Sequence, residues 1–377
     1  MDLTLNGDQS FFQETTRRFL ESEAPLTRVR ELADDPNGFD RAWWRRGAEL
    51  GWTALVVPED HGGGTLSGRP CADLAIVAEE FGRLVSPGPL IPTNVVAATV
   101  ARSGTPEQRA EVLPAILAGE AVAAWCVKGP DRGWLAGDLG VEARRDGDGG
   151  FVVAGTATMV EAAGSADWFL VSARSADGPV QVLLRGDTPG IRVTRLGGLD
   201  LVRRFGKVHF DDVAAPGAAV VGGGPGDGAA DDVGRQLRLG AALEVAQMAG
   251  VADRVLELTV EYAFDRYSFG RPLASYQALK HRFADMKLWL EASHATVEGA
   301  TRAVDDDVDV ERLVSAAKVY VGDHVPELVQ DCVQIHGGIG VTWEHDIHLY
   351  LRRVTLGRGL YGTPDEHRER LAVAAGL

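Results

Sequence analysis

No stretch of this sequence is rich in lysine or arginine. Its 38 basic residues are outnumbered by 54 acidic ones, leaving a formal charge of −16. Nucleic-acid binding needs a basic patch to neutralise phosphates, so no nucleic-acid partner is expected. An acidic surface also repels anionic membranes, and no apolar run is long enough to span a bilayer. The first eight residues, through Asp8, lack the basic segment and apolar core of a secretory signal. Cysteine is scarce. Cys71, Cys126 and Cys332 are odd in number, far apart and without metal-ligand spacing, so a reducing, cytoplasmic compartment is expected. There is no Gly-x-Ser-x-Gly elbow, which argues against a serine hydrolase. In Glu344-His345-Asp346-Ile347-His348 two histidines stand three apart, but no cysteine or further histidine joins them, so no metal is expected. His281 and His294, on helical faces, read as packed or solvated.

What is present fits a folded chain of several domains. Hydrophobic residues make up 45% of the 377 and charged residues 24%, and that length exceeds one ordinary core. Phe11, Phe12, Thr15, Phe19 and Leu20 recur at helical spacing, with Asp8 as the expected N-cap. Further helices are expected over Asp73–Leu84, Asn94–Arg102 and Pro106–Leu117; Thr105 with Pro106 supplies a cap and a first-turn proline. From residue 119 short runs rich in β-branched and aromatic residues alternate with glycine- and aspartate-rich turns. Phe151-Val152-Val153, Trp168-Phe169-Leu170-Val171 and Val208-His209-Phe210 are three of them. Such spacing suggests an antiparallel barrel or sandwich. Gly222 to Asp232 reads as a connector. Its Gly222-Gly223-Gly224-Pro225-Gly226 lacks the βαβ context of a dinucleotide loop. From Gly234 the pattern is helical again, with Ala241 to Ala263 apolar on most faces and Pro326 expected to kink a later helix. The reading is thus α+β and multidomain: helical over 1–118, β over 119–216, a linker over 217–233, and a helical bundle over 234–377.

Several motifs follow that order. Leu50-Gly51-Trp52 precedes Val57-Pro58-Glu59, and Phe210-Asp211-Asp212-Val213 closes the strand-rich region. Arg266-Tyr267-Ser268-Phe269-Gly270-Arg271-Pro272-Leu273 follows the long apolar helix, and Gln334-Ile335-His336-Gly337-Gly338-Ile339-Gly340 follows a later one. Together these resemble the acyl-CoA dehydrogenase family over nearly the whole chain. The resemblance implies that family's fold, with a helical N-terminal domain, a β-domain and a C-terminal four-helix bundle. It also implies FAD as cofactor and desaturation of an acyl-CoA thioester. In that family one subunit supplies the flavin-ring pocket and the base, and its neighbour supplies the Arg-x-x-Phe-Gly and Gln-x-x-Gly-Gly segments. The implied cofactor-binding residues here are Arg266, Phe269, Gln334, Gly337 and Gly338. Their chemistry suits the role: an arginine fork for pyrophosphate, a flat apolar ring, an amide, and glycines that let the backbone approach a ligand.

The other half departs from the family pattern. Where threonines would contact the flavin stand Lys128 and Glu161; where a tryptophan would cover it stands Met159. The glutamate expected before Gly362-Thr363 is Tyr361, whose phenol is a poor acceptor of an α-proton at neutral pH. The alternative base position, near Gly240 and Ala241, is not acidic, and Glu244 is the nearest carboxylate. No catalytic residue is therefore assigned. Lys128 and Glu161, of opposite charge, are expected either to pair, directly or through a water, across the vacated site, or to be solvated separately on displaced loops. Three readings remain open. The first is a partner subunit of an α2β2 dehydrogenase acting on a bulky CoA thioester, as in steroid or branched side-chain degradation. The second is a self-sufficient homo-oligomer with Glu244 as base. The third is a scaffold binding neither FAD nor CoA. The resemblance also brings electron-transfer flavoprotein as a candidate electron acceptor.

Overall fold

A computed structural model describes residues 4–135 and 137–377. Six helices come first: α1 (Gly7–Glu23), α2 (Leu26–Glu31), α3 (Arg41–Glu49), α4 (Pro70–Arg83), α5 (Leu90–Ser103) and α6 (Pro106–Leu117). The strands follow: β1 (Ala123–Cys126), β2 (Val141–Arg145), β3 (Phe151–Glu161), β4 (Trp168–Ser175), β5 (Gly178–Arg185), β6 (Ile191–Leu196), β7 (Phe205–Ala215) and β8 (Val220–Val221). Then come α7 (Asp227–Asp265), a small hairpin of β9 (Tyr267–Ser268) and β10 (Arg271–Pro272), α8 (Gln277–Asp306), α9 (Val310–His336), α10 (Ile347–Gly359) and α11 (Pro364–Ala374).

Local chemistry sets the element ends. Thr105 caps α6 through a reciprocal pair of bonds with Gln108, at 3.2 and 3.0 Å, with Pro106 in the first turn. The cap of α1 is Asn6, not Asp8. The Asn6 side chain accepts from the Gln9 amide at 2.8 Å and the Gln9 side chain returns the bond at 3.0 Å, which leaves Asp8 inside the first turn. The stretch expected as a connector is partly helical, because α7 begins at Asp227, whose carboxylate suits a helix N-terminus.

The sheet runs β6-β7-β3-β2-β4-β5-β8, with β1 beside β4. Most neighbours are antiparallel, but β4 pairs in parallel with both β1 and β2, so the sheet is mixed rather than wholly antiparallel. Adjacent hairpin strands must run antiparallel. β1 and β2 reach β4 only after other strands intervene, and those longer connections permit parallel pairing. Alternate residues Phe151, Val153, Phe169, Val171, Val182 and Phe210 fill its apolar side. β3 carries bulges near Gly155 and between Ala157 and Val160, and Met159 there has φ +53.

By contact density the described chain forms two compact units. One comprises 31–70 and 87–240 and holds the sheet; the other comprises 1–30, 71–86 and 241–377. Within the sheet unit a buried pair of amides, Gln181 on β5 and Gln236 on α7, exchange bonds at 3.0 and 3.1 Å and pass them to Ser172 and Thr99. Each amide in that pair is satisfied where an unpaired one would be costly.

The second unit is helical. Arg17 of α1 grips Glu80 of α4 with two bonds, at 2.9 and 2.7 Å; burial pushes the Glu80 carboxyl up and the guanidinium opposes that. Arg83 bonds Glu257 of α7 at 2.8 Å. α4 and α7 meet backbone to backbone. A Cβ on Gly82 would lie 1.9 Å from the Gln247 carbonyl, and one on Gly250 would lie 2.0 Å from the Glu79 carbonyl. Gly250→Ala is therefore expected to force the helices apart and to cost about 1–3 kcal/mol, the usual range for overpacking. Urea unfolding measures this, and an unchanged midpoint would refute the contact.

Candidate functional site

α7 ends where Arg266 enters the β9–β10 hairpin. The Leu273 amide donates to the Arg266 carbonyl at 2.8 Å, closing it. The turn residues Phe269 and Gly270 have φ +48 and +77, the left-handed pair that two-residue hairpins favour. Glycine or asparagine normally takes the first of these positions; a phenylalanine there is strained by about 1–2 kcal/mol. It is also 97% exposed. Tyr276 braces the hairpin, its hydroxyl donating to the Ser268 carbonyl at 2.7 Å and its ring lying 3.8 Å beneath the Arg271 guanidinium. Arg266 is exposed, and its guanidinium has no partner among the described residues.

In the same helical unit α9 ends at His336 and gives way to a short 3-10 turn, Gly337–Val341. Gln334, Gly337 and Gly338 are all exposed. Gly337 has φ +66, which calls for glycine. Gly338 does not, and apart from its chain neighbours nothing among the described residues lies within 4 Å of where its Cβ would be. Internal packing gives no reason for Gly338; a ligand approaching from outside would.

The two motifs are joined. The Tyr262 ring, one turn before Arg266, stacks on His336 at 4.3 Å and 20°. Its hydroxyl donates to the His336 carbonyl at 3.3 Å. The structure thus brings Arg266, Phe269, Gln334, Gly337 and Gly338 onto two linked, exposed chain segments. A guanidinium, a flat ring, an amide and a Cβ-free loop suit a ligand that carries pyrophosphate and aromatic rings. His345 and His348, the pair weighed for a metal, are used in packing: His345 sets its edge against His336 at 4.8 Å, and His348 stacks on Trp343 at 5.1 Å.

The residues of the other half do not meet as expected. Lys128 and Glu161 form no ion pair. Glu161 is held by Arg203 in a buried two-bond fork at 2.7 and 2.8 Å. The Arg203 backbone is fixed in turn by Asp200, which accepts from the Val202 and Arg203 amides at 2.9 Å each. The Lys128 ammonium turns back on its own loop, donating to the Arg132 carbonyl and lying 5.8 Å from the Trp134 ring centroid. A planar guanidinium matches both carboxylate oxygens, which a lysine does not. Arg203 gave no signal in the sequence beyond its charge.

Tyr361 is buried, with φ +58. Its carbonyl accepts from His367 Nε2 at 3.1 Å, and His367 Nδ1 accepts from the Ser315 hydroxyl at 2.9 Å. Burial, together with nearby Arg370 and Lys318, pushes His367 down to about 3, so it is neutral. Glu244 is wholly buried and packs against Gly357, where a Cβ would lie 2.5 Å from its Oε1. It faces the charge of Lys318, also wholly buried, whose ammonium donates to the carbonyls of Gly357 at 3.1 Å and Leu360 at 2.7 Å. Burial pushes Lys318 down to about 8, with Glu244 opposing the shift. Among the neighbouring charges, Glu244 opposes the desolvation of Lys318 most.

Residues 6–120 match the acyl-CoA dehydrogenase N-terminal domain and 227–376 match its C-terminal domain. Acyl-CoA dehydrogenase IpdE2 of Mycolicibacterium smegmatis is 31% identical over 370 residues, covering 97% of this chain and 98% of its own. The chain belongs to the acyl-CoA dehydrogenase family. Members of that family are oxidoreductases acting on the CH–CH bond of acyl-CoA thioesters, with FAD as cofactor. Among solved structures, a variant of the steroid acyl-CoA dehydrogenase Tcur3481–Tcur3483 superposes with a TM-score of 0.89 at 30% identity, covering 99% of each chain. The ChsE4–ChsE5 complex from Mycobacterium tuberculosis does so at 0.88 and 25%, covering 100% of this chain and 99% of that one. Among the described residues no helix is long and apolar enough to cross a membrane.

Proposed function

We propose that this chain is the partner subunit of a heteromeric acyl-CoA dehydrogenase, contributing its C-terminal FAD contacts to a cofactor held mainly by a homologous chain that carries the base. The observation that carries this is Phe269: a strained, almost fully exposed aromatic, braced on a hairpin beside Arg266, with no use inside its own chain. Strain of this kind persists where function requires it. Arg266 would hold the pyrophosphate, Phe269 would cover a ring, and Gln334, Gly337 and Gly338 would line the cofactor's polar edge. FAD bound there would supply the acceptor for the thioester's β-hydride, paired with loss of its α-proton to a base on the homologous chain. The likeness to a steroid dehydrogenase with two differently named chains, and to the ChsE4–ChsE5 complex, supports an α2β2 assembly and a bulky acyl-CoA. A cytoplasmic setting, and electron-transfer flavoprotein as electron acceptor, complete the reading. Self-sufficient catalysis through Glu244 has less support, since that carboxylate is wholly buried, lies against Gly357 and feels the charge of Lys318.

The test is to purify the chain alone and with a co-expressed homologous chain, counting FAD by absorbance. Alone it is expected to hold little FAD and to desaturate nothing measurable. With its partner, FAD should appear at less than one per chain. A yellow homo-oligomer with one FAD per chain and full turnover would overturn the proposal.

A further inference from the structure

The two FAD-facing segments lie about seventy residues apart in sequence, yet both must be placed accurately to grip one ligand. A site held within a fraction of an ångström needs supporting contacts behind it. Behind this one the supporting contacts converge on one residue. Tyr262 is on the last turn of α7, and its carbonyl accepts from the Arg266 amide at 2.9 Å, just where the chain leaves the helix. Its ring lies flat on His336, and its hydroxyl bonds the carbonyl that immediately precedes Gly337. That carbonyl belongs to the peptide from which the chain turns into its left-handed conformation at Gly337. His336 is fixed from its other side, with Nδ1 bonded to the Cys332 carbonyl at 2.8 Å and the ring edge against His345. Burial holds His336 below its ordinary range, and His345 adds to that shift, so a neutral imidazole is what stacks.

We infer that Tyr262 is a positioning residue for the cofactor: by stacking on His336 and bonding its carbonyl, it locks the Gly337–Gly338 loop to the Arg266–Phe269 hairpin. The inference rests on the reading that these segments bind FAD. Tyr262 is assigned no contact with the ligand. It acts by removing freedom that FAD binding would otherwise have to suppress, and such pre-ordering raises affinity without adding a contact.

Tyr262→Phe keeps the stack and removes the hydroxyl; Tyr262→Leu removes both. Each is compared with Arg266→Gln and the parent chain, in assembly with the homologous subunit. FAD affinity is read from flavin fluorescence on titration, thermal unfolding is read on the FAD-free assembly, and amide hydrogen exchange is read over 334–341. Tyr262→Phe is expected to weaken FAD binding by about tenfold, the scale of one lost hydrogen bond, and to speed exchange in 334–341. The unfolding temperature of the FAD-free assembly should stay in place. Tyr262→Leu should weaken binding further. If Arg266→Gln weakens FAD binding and Tyr262→Phe does not, the positioning role is wrong and the FAD-donating reading stands. If Arg266→Gln also leaves FAD binding unchanged, that reading fails and takes the inference with it. Equal loss of FAD and of FAD-free stability in Tyr262→Phe would mark Tyr262 as an ordinary packing residue and overturn the inference.

Discussion

Arg203→Met is expected to destabilise the protein by about 3–5 kcal/mol, because it strands the Glu161 carboxylate in the interior without its partner. Both groups are buried, with side chains 2% and 7% exposed, so water cannot take over the lost bonds. Lys128→Met should shift stability by less than about 1 kcal/mol, since its ammonium serves only a nearby carbonyl and an aromatic ring in a half-buried loop. Replacing Glu161 and Arg203 together by leucine and methionine should recover most of the loss, because an apolar pair avoids the desolvation that the ion pair has to offset. Urea melts of the four proteins decide the matter. A large effect of Lys128→Met with none from Arg203→Met would reverse the assignment of partners.

The second large effect is expected at Lys318. Lys318→Met removes a positive charge that attracts the buried Glu244 and removes the donor to two carbonyls at the end of α10. A loss of about 3–5 kcal/mol is expected, and Glu244→Gln in the same chain should restore part of it. The pH dependence has a definite sign. Lys318 titrates near 8 in the folded chain against 10.5 when unfolded. Between those values the unfolded chain binds more protons, so this group's contribution to stability rises with pH across that window. The wild-type protein should therefore gain on Lys318→Met as pH increases from about 8 to about 10.5. A gap that narrows over that range would contradict a buried lysine.

The fold was largely legible because its signals are local. Thr105-Pro106 with Gln108, the β-branched and aromatic runs of β3 and β4, and the apolar faces of α7 each declare an element within a few residues. The parallel pairing of β4 was not legible, since it depends on which distant strand arrives beside it. The cap of α1 was misplaced by two residues because asparagine and aspartate are equally good caps, and only the reciprocal bond to Gln9 tells them apart. At the site, the exposed donors were legible as motifs. The sequence leaves Glu161 either paired with Lys128 or solvated, and the structure shows neither: it is buried and held by Arg203. Its partner was missed, because Arg203 stands 42 residues away in a loop and a charge does not advertise its direction. Tyr262 and Tyr276 were missed for a related reason. An aromatic residue at the end of a helix looks like core until its hydroxyl is seen to end on a backbone carbonyl.

The Gly82–Gly250 crossing also has a consequence for biosynthesis. It joins residues 168 positions apart, in a unit assembled from 1–30, 71–86 and 241–377. The chain emerges from the ribosome N-terminus first at about 5–20 residues per second, so α4 is made some ten seconds or more before the helix it must lie against. Throughout that interval the side of α4 at Glu79 and Gly82 lacks the α7 backbone it lies against in the finished protein. Distant pairings of this kind are slow to form and leave an adhesive segment open meanwhile. The nascent chain is thus a natural client for chaperones, and truncation anywhere before residue 250 leaves α4 permanently without its mate.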